Sequence, residues 1–305
     1  MIHKITKMFV HHAFIVILYL KLRNIYYGVD DFIRKSLGLK PSLYFLEYHI
    51  ADHCNMNCKG CFHFSNIVTT KTFPSFEQFS RDINRLSEIF GNISTIRLMG
   101  GEPLLNPQLP MFAREARKAF PKAKIAILSN GMWYKKVRGE LVETIISNNA
   151  EVQISLYKPM MKYKDDIKQH FDTQKIKHSI SGPILKFAKY INAEGDSNPK
   201  ESVKQCPASR CTFLSDGHIA RCPLPFNIKF FNQQFNQSID MEHEKINIHD
   251  AKWTGFALKK KLRKPMSSCR YCGKLEWFDW EKSPSDRSEM SMEDFCCRHD
   301  KDNTM

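Results

Sequence analysis

Residues 44–61, Tyr-Phe-Leu-Glu-Tyr-His-Ile-Ala-Asp-His-Cys-Asn-Met-Asn-Cys-Lys-Gly-Cys, decide how this chain is read. Tyr44 to Ala51 has the aromatic and aliphatic texture of a strand, and a three-cysteine loop follows at its C-terminal end. Beyond it, Ser75 with Gln78 three residues on reads as a capping box. Phe76, Phe79, Ile83, Leu86 and Phe90 then recur at helical spacing up to Gly91. Ser94 to Met99 reads as a second strand running into Gly100-Gly101-Glu102-Pro103. A helix around Met111 to Phe120 leads to a strand from Lys124 to Leu128, which ends in Ser129-Asn130-Gly131. Glu140 to Ser147 places Leu141, Val142, Ile145 and Ile146 on one helical face, and strands follow at Glu151 to Tyr157 and Ile176 to Ser181. Strands alternating with helices predict an α/β fold with a parallel sheet, whose active site lies at the C-terminal strand ends. The cysteine loop, the Gly-Gly-Glu-Pro turn and the Ser-Asn-Gly turn all fall at such ends.

Cys54, Cys58 and Cys61 are three thiolates on one loop, enough to hold three irons of a cubane cluster and leave the fourth iron open. A closed structural metal site needs four ligands, and no fourth Cys or His follows at finger spacing. His53 and His63 flank the loop, but each abuts a cysteine, where ring and thiolate reach one metal only with strain. A vacant coordination position beside a redox cluster points to chemistry.

The 305 residues, 42% hydrophobic and 26% charged, are ordinary for a globular chain, which excludes wholesale disorder. Ten cysteines follow no secretion signal with a small-residue cleavage site, so they read as metal ligands in a reducing cytoplasm. The apolar run Ala13 to Leu20 is far short of the ~20 residues a bilayer span needs. Residues 8–27 read as a helix packed on the domain; the alternative is a basic amphipathic helix giving peripheral membrane contact through residues 1–27. The net charge of +14 favours an anionic partner: a small phosphorylated substrate, a nucleic acid or a lipid head group. The basic run from Lys259 to Lys264 lacks the aromatic interleaving of a strand-binding platform, which argues against nucleic acid.

Cys54-x3-Cys58-x2-Cys61 after the first strand, with Gly100-Gly101-Glu102-Pro103 after the second, resembles the radical S-adenosylmethionine (radical SAM) superfamily. The resemblance covers about half the chain. It departs in one place: the residue before the third cysteine is usually aromatic there and is Gly60 here, so Phe62 is the candidate to cover the cofactor. The resemblance implies that the open iron is chelated by the methionine moiety of SAM, and that an electron from the cluster generates a 5'-deoxyadenosyl radical that takes a hydrogen atom from substrate. Gly100 and Gly101, having no side chains, would let backbone approach the methionine. Glu102 is an acceptor or turn brace, Pro103 belongs to the same cofactor-binding turn, Asn130 is a candidate for the ribose hydroxyls, and Ser155 for ribose or carboxylate. Each of these polar residues equally suits a turn-capping role. A flavodoxin- or ferredoxin-type protein would supply the electron.

From Ala193 to Glu201 the chain turns polar and reads as a linker, and seven cysteines follow it. Phe213 to Ala220 reads as a hairpin around Asp216-Gly217, with Cys206 before it, Cys222 after it, and a later Cys269-x2-Cys272 pair. Four such thiolates can hold a zinc or an iron–sulfur cluster. The pattern resembles the SPASM and shorter twitch domains that follow radical SAM cores. That implies an auxiliary [4Fe–4S] cluster on Cys206, Cys222, Cys269 and Cys272, able to accept an electron from a substrate radical. Cys211 and one of Cys296 or Cys297 are spare ligands. A base for the substrate radical is unknown; Arg210 and Arg221 are the candidates beside cluster cysteines.

The expected architecture is a partial (β/α)6 TIM-like barrel with a small cysteine-rich twitch/SPASM-like domain. Residues 1–40 form a helical extension, 41–200 the core barrel and 201–305 the auxiliary domain. The run from Cys58 to Ser65 resembles superfamily members associated with surface-polysaccharide and sugar modification. With the basic charge, this predicts oxidation or epimerisation of a phosphorylated or nucleotide-linked sugar. A peptide-modifying maturase and a zinc-stabilised binding module without catalysis are the alternatives.

Overall fold

The computed structural model describes residues 28–206 and 211–297. The N-terminal amphipathic segment through residue 27 and Arg210 lie outside the described residues. A helix over residues 28–36 (α1) opens the described chain. Strand β1 (Ser42–Ala51) follows, then α2 (Phe76–Ile89), β2 (Asn92–Gly100), α3 (Leu109–Ala119), β3 (Lys124–Ser129), α4 (Glu140–Ser147), β4 (Glu151–Ile154), α5 (Lys164–Thr173) and β5 (His178–Ile180). The chain continues through β6 (Lys186–Ile191), α6 (Pro199–Gln205), β7 (Phe213–Ser215), β8 (His218–Ala220), α7 (Leu224–Phe235), β9 (Ile246–Asn247), α8 (Gly255–Leu262) and β10 (Cys272–Asp279).

One eight-stranded sheet has the order β5-β4-β3-β2-β1-β7-β8-β9. Every pair from β5 across to β7 is parallel, which gives the expected run of six barrel strands. Central strands in such a sheet are covered on both faces, and the last six residues of β1 are buried accordingly. Its one buried acid, Glu47, lies in register with Arg97 on β2, and the two pair at 3.1 Å. On the helical side Tyr48, Phe79 of α2 and Phe112 of α3 stack with ring centroids 4.6–6.0 Å apart.

Local signals hold where they are strong. Ser75 caps α2 by accepting from the Gln78 amide, yet Gln78 does not complete the box: its side-chain amide donates to Asp82. Asp82, buried on α2, also accepts from the Gly217 amide and faces His249, docking the hairpin turn onto this helix. On α4, Ile145 is buried but Ile146 is 51% exposed, so the apolar face is narrower than the sequence predicts.

The hairpin forms as expected, β7 and β8 turning through Asp216 and Gly217 at positive φ. It does not stand apart, however. Strand β7 pairs parallel to β1 and extends the barrel sheet, so a boundary at residue 200 falls inside a continuous sheet. Pairing between strands this far apart in sequence leaves no local periodicity to read. The polar stretch that reads as a linker ends in α6, with Asn198 as its cap and Pro199 in its first turn. A second, two-stranded sheet pairs β6 with β10 antiparallel. Behind it, Phe64, Tyr190, Phe231 and Phe295 form a separate core cluster. Among the described residues no helix is long and apolar enough to cross a membrane.

Candidate active site at the strand ends

The Gly-Gly-Glu-Pro turn continues β2 alongside the start of the cysteine loop, with Gly101 N–H donating to Ala51 O and Glu102 N–H to His53 O. A Cβ on Gly100 would lie 2.1 Å from Ala51 O, and one on Gly101 2.1 Å from His53 O. Beside any approach to a cofactor, these glycines thus meet a nearer need, letting two strand ends lie backbone to backbone. Glu102 is fully buried. Its carboxylate accepts from the Leu104 amide, the Ser129 hydroxyl and the Asn130 amide, tying the end of β2 to the end of β3. Burial raises its pKa to about 7, against the opposing pull of those three donors. It is the brace of the turn.

Asn130 carries the tie onward. Its side-chain amide donates to Asn55 Oδ1 (2.8 Å) and to Cys54 Sγ (3.3 Å), while its oxygen accepts from the Met132 amide. Burial pushes the Cys54 thiol up to about 12 and raises Cys58 and Cys61 as well. Three thiols sharing one wall would release protons on binding a metal group, and their charges would then be neutralised by it.

Cys54, Cys58 and Cys61 line a cavity of about 260 Å³ that also touches Gly100, Gly101, Asn130 and Ser155. Lys186, Phe187 and Trp277 from the β6–β10 sheet line it too; Trp277 is 61% exposed. On the same loop, His53 Nδ1, Asn55 Nδ2 and His63 Nδ1 are buried without a hydrogen-bond partner in the protein. Three sulfur donors facing one cavity, with unpartnered polar atoms around them, fit a cluster carrying a polar cofactor. A mononuclear ion fits less well. His53 packs on Phe73 and His63 on His49, and among the described residues no group of three or more His, Cys, Asp or Glu gathers close enough to share one ion.

Gly60 has φ +61, and a Cβ there would meet the Phe278 ring at 2.8 Å. The Phe278 ring of β10 thus packs against the backbone of Gly60. Phe62 borders the cavity but stacks on Tyr190, with centroids 4.3 Å apart and planes 4° apart. The Tyr190 hydroxyl donates to Phe62 O.

The second set also assembles. Cys206 after α6, Cys222 after β8, Cys269 and Cys272 at the start of β10 line a smaller cavity of about 30 Å³. Burial raises Cys222, Cys269 and Cys272. Cys211 lies against Glu47 instead, and Cys297 donates to Ile191 O beside Gly273. Arg221 borders the second cavity and not the first. Its guanidinium donates to the carbonyls of Leu262, Arg263 and Lys264, closing the C-terminal end of α8.

Sequence reading missed Trp280, whose indole N–H donates to Cys58 Sγ at 3.2 Å, and the Lys186–Trp277 wall. Exposed or isolated residues far from any motif gave no signal for either.

A partial (β/α) barrel with three cysteines facing a cavity at its strand ends is the arrangement that an iron–sulfur protein would need. Residues 48–180 match the Radical SAM superfamily. That match covers less than half of the chain; members of the superfamily use a [4Fe–4S] cluster and SAM. The chain is 27% identical over 139 residues to GTP 3',8-cyclase of Syntrophomonas wolfei subsp. wolfei (strain DSM 2245B / Goettingen), a match covering 45% of this chain and 41% of that one. The chain thus spans about two-fifths of the length of this curated relative. Among solved structures it is similar to BtrN in complex with AdoMet and 2-DOIA, at 16% identity and TM-score 0.46 over 77% of this chain and 95% of that one. It is also similar to anSMEcpe with bound AdoMet and Cp18Cys peptide (16%, TM-score 0.36, 46% and 42%). Streptococcus suis SuiB is a third such structure (15%, TM-score 0.36, 45% and 32%).

Proposed function

We propose that this chain uses SAM at the Cys54–Cys58–Cys61 loop to generate a 5'-deoxyadenosyl radical. The radical takes a hydrogen atom from a phosphorylated or nucleotide-linked sugar, which is oxidised or epimerised at a carbinol carbon. The convergence of the three thiols with Gly100, Gly101, Asn130 and Ser155 on one cavity carries this reading. The cluster and SAM supply the radical chemistry when bound. The protein's own residues do the rest. Glu102 and Asn130 hold the loop, Ser155 offers a hydroxyl to ribose or carboxylate, and the Phe62–Tyr190 stack closes one side. In the same lining, the Trp277 ring suits the apolar face of a sugar, and Lys186 suits an anionic group.

Cys206, Cys222, Cys269 and Cys272 are proposed to hold an auxiliary [4Fe–4S] cluster, which supplies an electron acceptor. Residues 41–200 then form the core and residues 201–305 the auxiliary part, the hairpin within it bonded to the core sheet. A flavodoxin- or ferredoxin-type donor in the cytoplasm completes the reading.

Iron and sulfide analysis of anaerobic protein, with assay of 5'-deoxyadenosine after reduction, tests it. About seven to eight irons per chain and 5'-deoxyadenosine formation are expected. Stoichiometric zinc without iron would establish the binding-module alternative. Turnover of a peptide but of no nucleotide-linked or phosphorylated sugar would move the substrate to the peptide class.

A further inference from the structure

The three thiols of the loop each face a donor, and the donors come from different places. Asn130 at the end of β3 serves Cys54, and backbone amides of His63, Phe64 and Ser65 face Cys61. Cys58 is served by Trp280, 222 positions away along the chain. Residues 280–284 run antiparallel to residues 57–59 as a strap: Lys59 N–H donates to Glu281 O, Ser283 N–H donates to Asn57 O, and Cys58 bridges Lys282. The Asn57 amide donates to Ser283 O and Pro284 O, and Asn66 donates to the Ser283 hydroxyl. The Trp280 amide donates to Leu185 O, which fixes the indole from the other side.

These bonds hold the segment on both sides and present one N–H to a sulfur. We propose that Trp280 sets the reduction potential of the cluster held by Cys54, Cys58 and Cys61, its indole N–H donating to the Cys58 sulfur while the 280–284 strap holds it in place. This rests on the functional reading above. A donor to a cluster thiolate stabilises the more negative, reduced state more than the oxidised one, so it raises the potential. Trp280 is a positioning and tuning residue; it is not among the residues that line the cavity.

The test is a redox titration followed by electron paramagnetic resonance on the full-length protein with its clusters assembled. Trp280→Phe removes the N–H. Replacing the Trp280 indole by benzothiophene removes it while keeping the ring shape. With iron content unchanged, both should lower the midpoint, so that at one fixed potential the reduced-to-oxidised ratio falls about three- to tenfold; tenfold corresponds to about 59 mV for one electron. If the Phe variant alone loses iron, a lowered midpoint in the benzothiophene variant still supports the proposal. An unchanged midpoint in an iron-replete benzothiophene variant overturns it, as does loss of iron from both variants, which would make the indole a clamp only. Wild-type protein that binds no iron overturns the functional reading itself, a different result from a wild-type cluster indifferent to Trp280.

Discussion

Cys54, Cys58 and Cys61 reach their cavity from a single eight-residue loop, whereas Cys206, Cys222, Cys269 and Cys272 are gathered from the ends of α6, β8 and the start of β10. The first set is positioned by neighbours that follow a strand: the glycine turn, the Glu102 brace and Asn130. The second exists only once β6 has paired with β10 and α6 has packed beside them. A loop-borne site is fixed by local geometry; a gathered site inherits every error in the tertiary fold.

The sharpest way to break this comparison is to empty each site in turn. Cys58→Ala is expected to remove about half the iron and abolish 5'-deoxyadenosine formation, measured after anaerobic reduction. Cys269→Ala should remove the other half yet leave 5'-deoxyadenosine formation largely intact while net product is lost. Equal loss of cofactor cleavage in both would show that the two sites are not separable.

The brace of the first site can be tested without iron, by denaturing the cluster-free chain with urea. Gly101→Ala places a methyl group 2.1 Å from His53 O, which only backbone movement can relieve, and should cost about 3 kcal/mol. Gly182→Ala, where nothing lies within 4 Å, should change stability by less than about 0.5 kcal/mol.

Glu102→Gln leaves an amide N–H facing one of three donors and should cost about 2 kcal/mol at pH 5. The carboxyl is raised from 4.5 to about 7 by burial, so the folded state binds its proton more tightly than the unfolded chain. Its contribution is therefore full below about 4.5 and is lost as the pH rises through about 7. Glutamine does not titrate, so the gap between variant and wild type should narrow at pH 8. A gap that widens with pH would mean the carboxylate is stabilised by its donors more than it is penalised by burial.

The same contrast explains what the sequence made legible. Strands β1 to β5, the helices between them and the turns at their ends carry local periods and caps, and their order alone predicts the sheet. Asp216-Gly217 announced its hairpin. What stayed hidden was contact at a distance: β7 beside β1, β10 beside β6, the Phe278 ring filling the place beside Gly60, and Trp280 on Cys58. None of these has a repeat or a spacing. Helix α6 is a different case, since Asn198-Pro199 is a start signal of the ordinary kind, hidden by the polar residues around it.

The strap has one more consequence, in time rather than space. Synthesis proceeds at about 5–20 residues per second, so the 222 positions between Cys58 and Trp280 separate their emergence by roughly 11–44 s. During that interval the three thiols are already made but lack their last neighbour. Iron delivered before Trp280 has emerged would meet a half-walled nest, completed only when the later segment folds back upon the loop.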